Sequence, residues 1–109
     1  MNLHATDLHP SHPSAASQVL DALVVGLGPA GLFTLFQMGL LGLKAEGLDS
    51  LTVAGGQCAS LYPDKPIYDV PGLPQSSGAD LAQQLLQQIQ PLGQALHLGR
   101  QVTRVAKSP

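Results

Sequence analysis

Charge is scarce in this chain. Of its 109 residues, 11% are Asp, Glu, Lys or Arg, against about a quarter in ordinary globular domains. So few charges leave apolar surface for a ligand or for further polypeptide to cover. The basic residues are Lys44, Lys65, Arg100, Arg104 and Lys107; they form no run, and the net charge is -2. No nucleic-acid footprint is therefore expected. Cys58 is the only cysteine, which excludes an intrachain disulfide and a C-x-x-C redox pair within this sequence. That fits a reducing cytoplasm, the expected compartment. Tryptophan is absent and aromatic residues make up 4%. No apolar run reaches the ~18 residues of a membrane span, because glycines break the most apolar stretch, 34–43. The first residues carry His and Pro where a secretory leader has a basic start and an apolar run, so neither a leader nor a membrane partner is expected.

What remains has the size of one small domain. Residues 1–18 hold His4, His9, His12, Pro10 and Pro13 without periodicity, so they are expected to form a disordered tail. The three histidines lack a scaffold, and no metal site is expected. Order should run over 19–109. The run Ala22-Leu23-Val24-Val25 reads as a central parallel strand buried on both faces. A helix is predicted from Pro29 to about Leu41, apolar on nearly all sides and so mostly buried, with Gly42 as its C-terminal cap. A second strand over 43–48 ends at Asp49, and a long loop covers 50–66. A short extended piece over 67–70 and a turn over 71–74 follow. A second helix is predicted from about 78 to 90, with Ser77 at the N-cap and Asp80 in the first turn. Leu81, Leu85, Ile89 and Leu92 form its apolar stripe, and Pro91 ends it. Short strands are expected over 95–98 and 101–105. This alternation predicts an α/β fold with a Rossmann-like parallel sheet.

Gly26-Leu27-Gly28-Pro29-Ala30-Gly31 has the spacing G-x-G-x-x-G, between an apolar strand and an apolar helix. In that setting Gly26 permits the sharp turn, Gly28 lets a pyrophosphate approach the backbone, and Gly31 lets helix and strand pack closely. The helix N-terminus then offers N–H groups to phosphate. Asp49 follows Gly31 by 18 residues, near the offset of an acid that binds ribose hydroxyls. Its carboxylate would repel a 2′-phosphate, so the site should take FAD or NAD and reject NADP. Glu46 is the competing acid, but inside the strand it should miss the crevice. Gly47 weakens that strand and loosens its register.

A second loop, Gly55-Gly56-Gln57-Cys58-Ala59-Ser60-Leu61-Tyr62-Pro63, supplies a glycine pair for close approach, an amide with donor and acceptor at Gln57, and a ring with a hydroxyl at Tyr62. The strings "VVGLGPAGL", "LDSL" and "GGQCASLYPDKPIYDVPGLP" together resemble ferredoxin (flavodoxin)–NADP reductases of the thioredoxin-reductase-like kind, from about residue 21 to 105. The chain departs from that pattern at Thr52-Val53-Ala54 and at Gly47. The resemblance implies a partial FAD-binding domain, the N-terminal part of a flavoprotein with two dinucleotide-binding domains. It implies FAD as cofactor, NADPH as co-substrate, and ferredoxin or flavodoxin as electron partner, with a homodimer allowed for the full-length protein. Gly28, Pro29, Ala30 and Gly31 would surround the pyrophosphate, with Gly26 part of the same cofactor site, and Asp49 would bind the adenosine ribose. Gln57 and Tyr62 would meet the ribityl–flavin region, with Gly56 also at the cofactor, and the Val102 backbone the adenine. No residue is then needed as catalytic acid, base or nucleophile, and Cys58 and His97 are expected to have no catalytic role. The alternatives are a thioredoxin-reductase-like disulfide flavoenzyme and a non-catalytic nucleotide-binding module.

Overall fold

A computed structural model describes residues 19–108, apart from the Cys58 side chain. The expectations about the tail at 1–18 and about the Cys58 thiol lie outside what it describes. Three parallel strands form the main sheet in the order β1-β2-β5. They are β1 (Ala22–Val25), β2 (Ala45–Asp49) and β5 (Leu96–Leu98). Between them run α1 (Pro29–Leu40), a short α2 (Gly56–Ser60), and an antiparallel pair of two-residue strands, β3 (Pro66–Ile67) and β4 (Ser76–Ser77). Then come α3 (Gly78–Ile89) and a 3-10 turn over Gln90–Leu92. This is the expected β-α-β order with parallel pairing.

The caps follow from local chemistry. Pro29 opens α1 at a position whose N–H would have no helical partner anyway. At its other end the Gly42 N–H donates to Gly39 and the Leu43 N–H to Met38, the paired bonds of a Schellman motif. The Ser77 hydroxyl accepts the Asp80 N–H at 3.1 Å and caps α3. Pro91 stops that helix by converting its last turn to 3-10.

The core lies between α1, α3 and one sheet face. Leu27, Leu32, Leu35, Ala45, Leu81, Leu85 and Ile89 form it. Each leucine fully buried there stabilises the fold by roughly 1.5–3 kcal/mol. Leu48 packs on the opposite face, against Leu23 and Val102. The register is firm: Val24 stands beside Gly47 and Leu48 beside His97. Gly47 therefore does not loosen the sheet. A Cβ there would come 2.6 Å from Leu27 Cδ2 and 2.7 Å from Leu35 Cδ1, so the glycine is where α1 beds onto β2.

Several expectations fail. β1 is not buried on both faces: among the described residues it is an edge strand, and Val25 is 60% exposed. Nor is α1 mostly buried. Leu32 and Leu35 are enclosed, but Phe33 and Leu40 face outward, because only one side of the helix meets the sheet and α3. The loop over 50–66 contains α2, and its last residue already belongs to β3. Of 67–70, only Ile67 joins a strand, with a single bridge from Val70 to Leu73. Residues 101–105 form no strand. The Gly99 N–H donates to the Leu51 carbonyl and the Arg100 N–H to the Asp49 carbonyl, which turns the chain across the strand ends instead of along the sheet.

Candidate dinucleotide site

The glycine turn sits at the carboxyl end of β1. Gly26 has φ +99°, and a Cβ there would meet nothing within 4 Å, so backbone conformation selects glycine there. A Cβ on Gly31 would overlap the Gly26 carbonyl oxygen, so Gly31 serves helix–strand packing. Gly28 is the N-cap of α1, which has no side-chain cap and no acid in its first turn. The leading N–H groups of a helix lack intrahelical acceptors and sit at its positive end.

Leu27 ties this turn to two other segments. Its N–H donates to Asp49 Oδ2 at 2.8 Å, and its carbonyl accepts the Gly55 N–H at 2.7 Å. The first bond aims the carboxylate across the carboxyl ends of β1 and β2. Asp49 Oδ1 also accepts the Leu51 N–H at 2.9 Å. Each carboxylate oxygen has two lone pairs, so both keep acceptor capacity for hydroxyl donors. The second bond brings the Gly55–Gly56 pair onto the turn. A Cβ on Gly56 would stand 2.8 Å from the Gly28 Cα, whereas one on Gly28 would meet nothing nearer than 3.9 Å. Backbone thus meets backbone, with no side chain over Gly28.

Two hollows are lined by residues of the same turn, one including Gly26 and the other Pro29. The smaller, about 170 Å³, is lined by Val25, Gly26, Asp49, Ser50, Arg100 and Val102, among others. The larger, about 630 Å³, runs from Pro29 past Tyr62, Lys65, Tyr68 and Asp69 to Leu81. Of the residues singled out from sequence, Gly26, Asp49 and Val102 gather at the smaller hollow, and Pro29 and Tyr62 at the larger. Gly28 and Gly56 meet each other, and neither they nor Gly31 line either hollow. Ala30 and Gln57 line neither hollow. Ala30 is exposed on the first turn of α1. Gln57 is exposed in α2, and its backbone carbonyl accepts the Leu61 and Tyr62 N–H groups.

Sequence reasoning missed Ser50, Arg100 and Gln101 at the smaller hollow and Lys65, Tyr68 and Asp69 at the larger. The last three stand inside the "KPIYD" string, which was the available signal; nothing local marks Arg100. Glu46 stays out of the site, as expected, with Oε1 2.7 Å from His97 Nε2 on the neighbouring strand. Among the described residues no group of His, Cys, Asp and Glu could hold a metal ion, and no helix is long and apolar enough to cross a membrane.

No protein-family model matches the chain. Among curated relatives, the ferredoxin–NADP reductase of Acidovorax sp. JS42 is 52% identical over 99 residues, 91% of this chain. The chain is similar to ferredoxin–NADP reductases. A second one, from Methylibium petroleiphilum, is 55% identical over 87 residues. The chain spans about a quarter of the length of these ferredoxin–NADP reductases, 28% and 24% respectively. Solved structures agree on the fold. A thioredoxin reductase from Streptococcus pyogenes superposes with a TM-score of 0.63 at 23% identity, over 72% of this chain and 24% of its own. The thioredoxin reductase of T. acidophilum gives 0.62 at 25% identity, over 73% and 25%. The parallel sheet with its helices thus matches the dinucleotide-binding fold of this flavoprotein group.

Proposed function

We propose that this chain is the FAD-holding part of a ferredoxin–NADP reductase, an enzyme moving electrons between NADPH and ferredoxin or flavodoxin in the cytoplasm. The observation that carries the reading is the bare contact between Gly28 and Gly56, with Asp49 aligned beside it by the Leu27 N–H. Those residues fit a dinucleotide. Gly28, Ala30 and Gly31 would take the pyrophosphate on backbone N–H groups beside Pro29, which has none to offer, and Gly26 shapes the turn that presents them. Asp49 would accept hydrogen bonds from the adenosine ribose and repel a 2′-phosphate, which favours FAD over NADP here.

The hollows favour one direction for the ligand. The smaller one, beside Asp49 and Val102, suits the adenosine end. The larger, walled by Tyr62 and Tyr68, suits a three-ring system. Gly56 would pass close under the ligand, and Gln57 at the start of α2 would reach its ribityl hydroxyls. When bound, FAD supplies a group that accepts a hydride and gives up electrons singly. The chain's own residues bind and orient; none is required to move a proton.

The relatives' names favour ferredoxin–NADP reductase over a disulfide reductase. The test is titration of the purified chain with FAD, followed by flavin fluorescence and the visible spectrum. Quenching with resolved vibronic structure, abolished by G28V, supports the reading; a free-flavin spectrum at high protein concentration refutes it.

A further inference from the structure

We infer that Lys65 sets the charge beside the ring end of the bound flavin, an inference that rests on the FAD reading above. Of the five basic residues in the sequence, Lys65 is the one lining the larger hollow. Its Nζ lies 5.6 Å from the centroid of the Tyr62 ring, within reach of a cation–π contact. The backbone beneath it is held from both sides. The Lys65 N–H donates to the Tyr62 carbonyl at 3.2 Å, closing a turn with Pro63 at its second position. The Pro63 carbonyl accepts the Ala79 N–H at 3.0 Å, which pins the turn to the start of α3. Pro66, the next residue, pairs with Ser77 across β3 and β4. The backbone that carries the ammonium is therefore fixed, and the ammonium itself lies over Tyr62.

The same hollow contains one carboxylate, on Asp69. A flavin ring presents a polar edge of two carbonyls around an N–H, and on two-electron reduction that edge gains electron density. A nearby cation stabilises the reduced form more than the oxidised one, and a nearby carboxylate does the reverse. Lys65 and Asp69 are thus opposed controls on one ring site. Both side chains are exposed, so water screens them and the effect of each is modest.

The test compares midpoint potentials of FAD bound to the chain and to its K65M, K65R and D69N variants, by slow reduction against a reference dye. Affinity for oxidised FAD is measured alongside, and thermal melts check folding. Removing the cation should weaken binding of reduced relative to oxidised flavin about fivefold. For a two-electron couple that corresponds to about 20 mV downward, since tenfold is about 30 mV. K65R should keep the original potential, and D69N should shift it upward. An unchanged potential in K65M with FAD still bound overturns this inference alone, as does a K65R shift equal to that of K65M. Failure of the unaltered chain to bind FAD overturns both this inference and the proposed function.

Discussion

Gly56 approaches Gly28 so closely that a Cβ on Gly56 would lie 2.8 Å from the Gly28 Cα, and Gly56 also holds φ +64°. The contact is one-sided, because a Cβ on Gly28 would point into room, 3.9 Å from its nearest neighbour. This asymmetry separates the folding role of one glycine from the binding role of the other. G56A should lower stability by about 1–3 kcal/mol through backbone strain and steric conflict. G28A should unfold within about 1 kcal/mol of the unaltered chain, the usual scale for a changed N-cap, yet lose at least about tenfold in FAD affinity, or ~1.4 kcal/mol. Urea denaturation and flavin titration of the two variants test the division. Equal loss of stability in both would count against it.

Asp49 both organises the site and, in the proposed function, reads the ribose. D49A leaves the Leu27 and Leu51 N–H groups without their carboxylate acceptors, and should cost about 1–3 kcal/mol of stability. D49N keeps one amide oxygen as an acceptor and should cost less. Both should weaken FAD binding. D49N should also narrow the preference for ADP over 2′,5′-ADP, measured by competition against FAD, because the repelling charge is gone.

Gly47 joins α1 to the sheet. G47A pushes a methyl group into Leu27 and Leu35, and overpacking of this kind costs roughly 1–3 kcal/mol. L35A removes a fully buried side chain and should cost about 2–5 kcal/mol. Leu40 sits on the same helix but is 59% exposed, so L40Q should change stability by no more than about 0.5 kcal/mol. Chemical denaturation of the three variants gives the order directly.

Glu46 and His97 pair across β2 and β5 at 2.7 Å, with side chains 16% and 29% exposed. Partly exposed pairs contribute little, so E46Q should cost at most about 1 kcal/mol. FAD affinity should stay unchanged, because neither Glu46 nor His97 lines either hollow. A marked loss of FAD binding in E46Q would show that the sheet face carrying this pair communicates with the site.

The local grammar of the chain was readable in advance. The apolar run at 22–25, the glycine spacing at 26–31, Ser77 before an amphipathic helix and Pro91 at its end each specify structure through contacts within a few residues. Reading failed where neighbours distant in sequence decide the outcome. Continuous apolar stretches suggested full burial of β1 and α1, yet burial depends on what lies opposite: one side of α1 is left open, and β1 is only partly covered. Short α2 was hidden because a five-residue helix has too little periodicity to register.

By itself the sequence determined the order of the three main strands and two long helices, the turn at Gly26 and the likeness to ferredoxin–NADP reductases, because these rest on residue types at fixed local spacing. The tertiary structure alone decided that Gly47 is a packing contact, that Gly56 rests on Gly28, and that Lys65, Tyr68 and Asp69 share a hollow with Pro29 and Tyr62. Close approach between segments is set by how helices bed onto the sheet, and residues that share no local pattern become neighbours only when the whole core is packed.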